Sequence, residues 1–281
     1  MDFYFQEPYP HHNLSEDDIA VMKTQCEPFF GIKSPETFFV ASATLCVYSS
    51  NKMEQVGANR TETAKIINQW IRDPSSYDTK LDNKQREVLQ HFRVLQTIFT
   101  AANSKIMLTE SLINSWHAQL MEGLIDDGAG EYRSDGVFAG QKIFPNPDLV
   151  PSLMSGLLST LQEKINAATL SPYALAAWLS HAFVSIHPFC DGNGRMCRLL
   201  SNYILWWFGF PFAIATSSDR KKYIEALRYA DRDFIGPRRV GMLASLILKQ
   251  AHAIVINYLA NENLAEEFKP DKTLESTTIL I

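Results

Sequence analysis

Apolar residues recur three and four positions apart over most of this chain. Behind Asp82 they fall at Val88, Leu89, Phe92, Leu95 and Ile98, which places them on one face of a helix. Leu112, Ile113, Trp116 and Leu120 repeat the pattern behind Thr109-Glu110. The residues ahead of such runs are ones that start helices. Ser15-Glu16-Asp17-Asp18 puts a cap and acids before Ile19, Val21 and Met22, and Ser34-Pro35-Glu36 sets proline where a first turn tolerates it. Two further helices are predicted over 148–165 and 171–186, the second almost wholly apolar and therefore central. Beyond it the pattern predicts helices near 195–207, 219–230 and 237–260.

Two stretches break this rhythm. In EYRSDGVFAGQKIFPNP, residues 131–147, the pairs Val137-Phe138 and Ile143-Phe144 flank Gly140-Gln141, which predicts a short hairpin closed by prolines. YILWWFGFPFAIA, residues 203–215, is apolar throughout but holds Gly209 and Pro211 and is too short to cross a bilayer. It reads as a buried helix end and turn, or as a surface joining two copies of the chain. The fold class expected is all-α with a single short β-hairpin.

Composition narrows the function classes. The 281 residues are 46% hydrophobic and 20% charged, ordinary values for a globular protein. The 26 Lys and Arg against 31 Asp and Glu leave a formal net charge of −5, without the basic footprint that nucleic-acid binding needs. Cys26, Cys46, Cys190 and Cys197 show neither a CxxC pair nor zinc spacing, so reduced thiols are expected. No basic segment leads into an apolar run at the start, and the expected location is cytoplasmic, away from a membrane.

The chemistry gathers in HPFCDGNGRMCR, residues 187–198. An apolar helix ends at Ile186, Pro188 stops it, and helical spacing resumes near Asn193 or Gly194. Gly192 and Gly194 are expected to free the backbone for unusual dihedrals and for close approach of a ligand. A glycine turn entering a helix N-terminus aims several N–H groups at one spot and so forms an anion hole. Arg195 and Arg198 sit three apart on the following helix, where cations oppose the helix dipole and therefore serve something other than the helix. Asp191 is a hard oxygen ligand suited to Mg²⁺ shared with phosphates. His187, at the end of the preceding helix, is placed to take a proton from a hydroxyl. Phe189 is expected to pin the loop to the core. Singly, such a histidine is a helix cap and such a GNG is a turn; together they are the parts for phosphoryl or nucleotidyl transfer.

In this order the residues resemble the signature of the Fic (Fido) family, H-x-F-x-D/E-G-N-G-R-x-x-R, with His187, Phe189, Asp191, Gly192, Asn193, Gly194, Arg195 and Arg198 at its fixed positions. The resemblance runs from about residue 82 to 260. It implies a catalytic core over 80–260, an N-terminal helical region over 1–79 and a C-terminal tail over 261–281. It also implies a Mg²⁺-dependent enzyme that moves AMP from ATP to a Ser, Thr or Tyr hydroxyl of a target protein. His187 would be the general base, Asp191 the metal ligand, and Gly192, Asn193 and Gly194 the anion hole. Arg195 and Arg198 would grip the outer phosphates. Glycine at 194 leaves room for the β-phosphate and so favours AMP transfer over the kinase-like orientation of some relatives.

The resemblance carries four further expectations. Val137, Phe138, Ile143 and Phe144 would form a flap that docks the target by strand pairing. Tyr223, Leu227 and Asp231 would wall the adenine pocket, with core packing an equal reading for Leu227 and an acid standing where asparagine is usual at 231. Ser50 and Glu54, in SSNKMEQVG, resemble an inhibitory motif whose glutamate pairs with the second arginine, here Arg198; Gln55 departs from its usual glycine or asparagine. The same glutamate aligns a water for removal of AMP in some relatives, so hydrolytic removal is one alternative activity and a non-catalytic nucleotide-binding adaptor another. His181 is expected to be core or a neighbour of the site rather than a metal ligand.

Overall fold

The computed structural model describes residues 15–32, 36–77, 81–140, 142–217, 219–232 and 240–260. The expected helix starts at Ser34-Pro35 and Pro237, Gln141 of the hairpin, and the 261–281 tail lie outside them. The architecture is all-α, with one two-stranded antiparallel sheet among the described residues.

Side-chain caps set the helix starts. Ser15 and Asp18 exchange bonds in a capping box at the head of α1 (Glu16–Cys26), and Asp82 and Gln85 do the same for α4 (Asn83–Asn103). Thr109 caps α5 (Glu110–Met121) by accepting from the Leu112 N–H. Ser171 caps α7 (Pro172–Ile186) by accepting from the Ala174 N–H, with proline in its first turn. Each such cap contributes about 1 kcal/mol. Helices α2 (Glu36–Glu54), α6 (Val150–Ala167), α8 (Asn193–Trp207), α9 (Arg220–Arg232) and α10 (Gly241–Ala260) complete the expected set. Helix α3 (Arg60–Arg72) was not expected, although its signal is present: Asn59 caps it, and Ile66, Ile67 and Trp70 line its inner face. The polar residues that fill most of the rest of the helix hide the periodicity.

The α7–α8 pair forms the centre, with α4 and α2 against α8, and α10 against α7 and α1. One cluster of buried side chains runs through all of them and crosses the expected 79/80 boundary without a break. Phe38 of α2, for instance, lies 4.6 Å from both Phe212 and Tyr258, ring centre to ring centre. The apolar run 203–215 is interior. Tyr203, Ile204, Leu205, Trp206, Phe210 and Phe212 are buried, and Trp207 and Phe208 are half-buried. Gly209 turns the chain at φ +92°, Trp206 Nε1 donates to the Phe212 carbonyl, and Asn202 bonds both backbone groups of Ile214. Most of the run is thus core, and only its end at Trp207, Phe208 and Gly209 reaches the surface. The four thiols are free, three of them buried and Cys190 exposed.

The hairpin pairs β1 (Phe138–Ala139) with β2 (Lys142–Ile143), Phe138 opposite Ile143 and Ala139 opposite Lys142. Helices α6 and α7 separate it in the chain from the loop between α7 and α8, but it contacts that loop in space, and those contacts define the site.

Candidate active site

The loop 187–192 is held from beneath. Phe189 is fully buried and stacks on the His117 ring, 3.6 Å between centres and 4° from parallel. Asn193 turns its amide inward, accepting from the Phe189 N–H at 3.0 Å and donating to the Phe189 carbonyl at 2.8 Å. His117 adds a third tie. Its Nδ1 accepts from the Gly130 N–H at 2.9 Å, so the proton sits on Nε2, which donates to the Asp191 carbonyl at 3.0 Å. Burial pushes the His117 ring down to about 4, which keeps it in that neutral form. Sequence reasoning missed His117, because its partners are backbone groups.

Gly192 enters α8 at φ +76°, where L side chains are disfavoured, and an added Cβ would press on Met121 and His117. For Gly194 only the expected unusual dihedral is absent: its backbone is helical, and its small size serves space alone. A Cβ there would overlap the Glu54 carboxylate, which fills the volume over the helix start. The N–H groups of 193–195 have no carbonyl partner within α8, as at any helix start, and face that volume.

Both arginines are buried at 3% exposure. Arg198 Nε donates to Ser50 Oγ at 2.8 Å, and Nη2 donates to the Ser50 carbonyl at 3.0 Å and to Glu54 Oε1 at 2.7 Å. Its guanidinium lies over the Tyr223 ring. Burial opposes the Arg198 charge most strongly, but its surroundings, the Glu54 carboxylate first among them, together outweigh burial and secure that charge. Arg195 is less satisfied. Its Nη2 lies 3.7 Å from Asp191 Oδ2, while Nε and Nη1 are buried with no hydrogen-bond partner among the described residues. A buried cation with free donors favours an incoming anion. Below it, His91 donates from Nδ1 to Asn51 Oδ1 at 2.7 Å, and burial together with the two arginines keeps it neutral.

Glu54 is the last residue of α2, where a carboxylate opposes the helix dipole. The helix closes in a Schellman turn: the Val56 N–H donates to the Asn51 carbonyl and the Gln55 N–H to Lys52. Gln55 takes the left-handed position of that turn at φ +62°. The usual glycine or asparagine at this position therefore has a backbone reason, and glutamine carries the strain of departing from it.

His187 ends α7 in the left-handed region, φ +54° and ψ +59°. Its half-buried ring stacks on Phe144 at 3.9 Å, and Nδ1 donates to the Val184 carbonyl at 3.3 Å, which leaves the Nε2 lone pair as the proton acceptor. Burial lowers the ring below the ordinary histidine range, assisted by the charges of Arg133 and Lys142 and opposed by the Val184 bond and Asp191.

A neutral base, an anion-binding helix start and two buried arginines thus converge on one place. The Fic/DOC family profile matches residues 107–205. A Fido domain-containing protein of Dictyostelium discoideum is 49% identical over 144 residues, 51% of this chain and the whole of that protein. The chain belongs to the Fic/Fido family. A protein adenylyltransferase Fic of Nematostella vectensis is 31% identical over 198 residues, 68% of this chain but 44% of that protein, so this chain spans less than half of such a relative. A Fic domain containing signaling protein from Bacteroides thetaiotaomicron has the same fold, with a TM-score of 0.73 at 22% identity over 89% of this chain and 98% of that one.

Within this Fic fold the remaining expected residues separate. Phe138 and Ile143 are exposed at 77% and 85% on the outer face of the hairpin. Phe144 is not on that surface: it is buried and forms a wall of the His187 site, because alternate residues of a strand face opposite ways. Val137 is half-buried and accepts the Phe144 N–H. Tyr223 is buried at 3% exposure with its hydroxyl 3.3 Å from Cys197 Sγ, so it supports Arg198 from the core. Leu227 packs half-buried against the core. Asp231 accepts from Lys142 Nζ of the hairpin at 2.7 Å and pairs with His181 Nε2 at 3.0 Å. Burial raises its carboxyl, but those two partners outweigh it and hold it below the usual range. His181 is buried beside the site, as expected.

Among the described residues no three His, Cys, Asp or Glu side chains cluster to hold a metal. The Asp191 side chain, 67% exposed at the mouth of the anion hole, is a lone carboxylate whose Oδ1 accepts from the Gly192 N–H. One or two carboxylates with phosphates are the donor set Mg²⁺ takes, and Asp191 fits it.

Proposed function

We propose that this chain is a Mg²⁺-dependent protein adenylyltransferase restrained by Glu54. The observation that carries the reading is the neutral His187 ring with its free Nε2, set beside the helix start that Glu54 now fills. In the reaction, the hydroxyl oxygen of a target Ser, Thr or Tyr bonds to the α-phosphorus of ATP. The hydroxyl proton passes to His187 Nε2, and the bond to the bridging oxygen breaks to release pyrophosphate. The N–H groups of Asn193 and Gly194 bind phosphate oxygens, and that of Gly192 joins them once Asp191, which now accepts from it at 2.6 Å, turns to the metal. Arg195 offers its free donors to the outer phosphates, and Arg198 does so once Glu54 leaves it. Asp191 would hold Mg²⁺, which when bound neutralises phosphate charge. Tyr223, Leu227 and Asp231 border the side where the base would lie. Phe138 and Ile143 offer the target an apolar edge, and Val137, whose carbonyl accepts the Phe144 N–H, braces it from within the hairpin.

The test is incubation of the wild type, Glu54→Gly and His187→Ala with Mg²⁺ and ATP labelled on the α-phosphate, followed by intact-mass analysis. Covalent AMP on Glu54→Gly, absent from His187→Ala although that variant still binds ATP, is the expected result. Loss of ATP binding by a folded His187→Ala protein would remove the general-base role. A second reading, hydrolytic removal of AMP, rests on the Glu54 carboxylate, which is 36% exposed within the site and could orient a water. It predicts that the wild type, and not Glu54→Gly, releases AMP from a modified protein. Nucleotide binding without either reaction would identify an adaptor.

A further inference from the structure

Arg133 belongs to none of the motifs above, yet its side chain touches three of the site's parts. It is buried at 6% exposure. Nε donates to the His187 carbonyl at 2.7 Å, Nη1 to the Asp135 carbonyl at 2.7 Å and Nη2 to the Pro145 carbonyl at 2.6 Å. Its own N–H donates to the Pro188 carbonyl at 2.9 Å. Residues 135 and 145 are the two feet of the hairpin, so one guanidinium ties both feet to the backbone of the histidine.

We propose that Arg133 is a positioning residue that locks the hairpin and His187 into one geometry for proton transfer. The proposal rests on the adenylyltransferase reading for its catalytic consequence, but not for its structural one. His187 is a non-glycine residue in the left-handed region, a strained conformation that persists only where the surroundings hold it. The Arg133 bond to its carbonyl is one such hold. Phe144, which stacks on the His187 ring, is joined directly to Pro145, whose carbonyl takes another arm of the same fork. Arg133 therefore fixes both partners of the stack. A single turn could be tied by an uncharged amide. Three divergent carbonyls require the rigid planar fork that only arginine supplies. Burying that charge among neutral carbonyls is costly, and the arrangement adds an electrostatic effect on the base. Four charged or polar groups face the His187 ring: Arg133 before the hairpin, Lys142 within it, Asp191 on the loop and the Val184 carbonyl of α7. Arg133 and Lys142 favour the neutral ring; Asp191 and the Val184 carbonyl favour the charged one.

The experiment compares Arg133→Met and Arg133→Lys in the Glu54→Gly protein, reading ATP affinity, AMP transfer against pH, the His187 ring titration by NMR and hydrogen exchange over 137–144. Arg133→Met is expected to bind ATP normally, because Arg133 does not face the phosphate site. Its transfer rate should fall by about 10- to 100-fold, the scale expected when a reacting group is misplaced by an ångström. Its His187 titration and the acid limb of its rate profile should move to higher pH, and exchange in the hairpin should quicken. Arg133→Lys keeps the charge but cannot reach three carbonyls, so its rate should fall and its hairpin loosen while the His187 titration stays in place. Unchanged titration and unchanged exchange in Arg133→Met would overturn the proposal, as would loss of ATP affinity in step with rate. If Arg133→Met does not fold, the Arg133→Lys exchange decides, and unaltered exchange there refutes the lock. If the Glu54→Gly parent transfers no AMP, the adenylyltransferase reading fails, while titration and exchange still decide the role of Arg133.

Discussion

Glu54 and Arg198, 144 residues apart in sequence, meet at 2.7 Å over the start of α8. Ser50, one turn earlier on α2, holds the same guanidinium through its hydroxyl and its carbonyl. Helix α2 therefore supplies both the support of the arginine and the carboxylate that occupies it. A phosphate and a carboxylate compete for one fork, and a charge-assisted bond of this kind contributes about 1.5–3 kcal/mol. Glu54→Gly should accordingly raise the initial rate of AMP incorporation by about 10- to 100-fold. Glu54→Gln, which keeps an acceptor without the charge, should fall between. Equal rates for all three proteins would show that the pair does not restrain the site.

Gln55 follows that carboxylate in a backbone position suited to glycine. Gln55→Gly should relieve about 1 kcal/mol of left-handed strain, less the entropy glycine adds to the unfolded chain. The expected outcome is a rise of about 2 °C or less in melting temperature, with no loss. The wild-type restraint should also tighten, seen as slower residual AMP incorporation, because the turn that carries Glu54 becomes easier to hold. A fall in melting temperature would mean that the Gln55 side chain contributes more than its backbone costs.

The helices and the 187–198 loop are legible in the sequence because their causes are local: caps, three-four spacing, and glycine and proline at the turns. The parts that are not legible depend on neighbours distant in the chain. Gly194 reads as a source of unusual dihedrals and of room for a phosphate, and only the folded chain shows the Glu54 carboxylate lying where its Cβ would be. Phe144 reads as part of an exposed flap, although strand alternation from Ile143 already points it inward. Arg133 and His117 bond to backbone carbonyls and amides, which no side-chain pattern records. Helix α3 has its cap and its stripe, but polar residues dilute the period.

Lys142 on the hairpin and Asp231 on α9 give the flap a second tie besides Arg133. Their side chains are about a third exposed, so the pair contributes at most about 1 kcal/mol. Asp231→Asn should leave the melting temperature nearly unchanged but speed hydrogen exchange over 137–144, most clearly at low salt, where the native pair is strongest. Exchange as slow as in the native protein would show that the hairpin is held by Arg133 and the Phe144–His187 stack alone.

His117 makes the stability of the site depend on pH. Its ring is buried neutral, accepting from Gly130 and donating to Asp191, and its folded value of about 4 lies below the 6.5 of an unconstrained ring. A depressed histidine leaves the unfolded chain binding more protons than the folded one. Stability is therefore full above about pH 6.5 and is lost as the pH falls toward 4, with no further loss from this group below that. Between pH 7.5 and 5.0 the loss from His117 is about 2 kcal/mol. His91 and His187, also lowered by burial, act in the same direction. Urea unfolding at the two pH values should show the combined fall. His117→Gln, whose amide can accept from Gly130 and donate to Asp191 without titrating, should lose about that much of the slope, whatever its stability at pH 7.5. A slope unchanged by His117→Gln would mean that the acid sensitivity lies in His91, His187 and the carboxylates, and that the His117 ring can take up its proton within the folded protein.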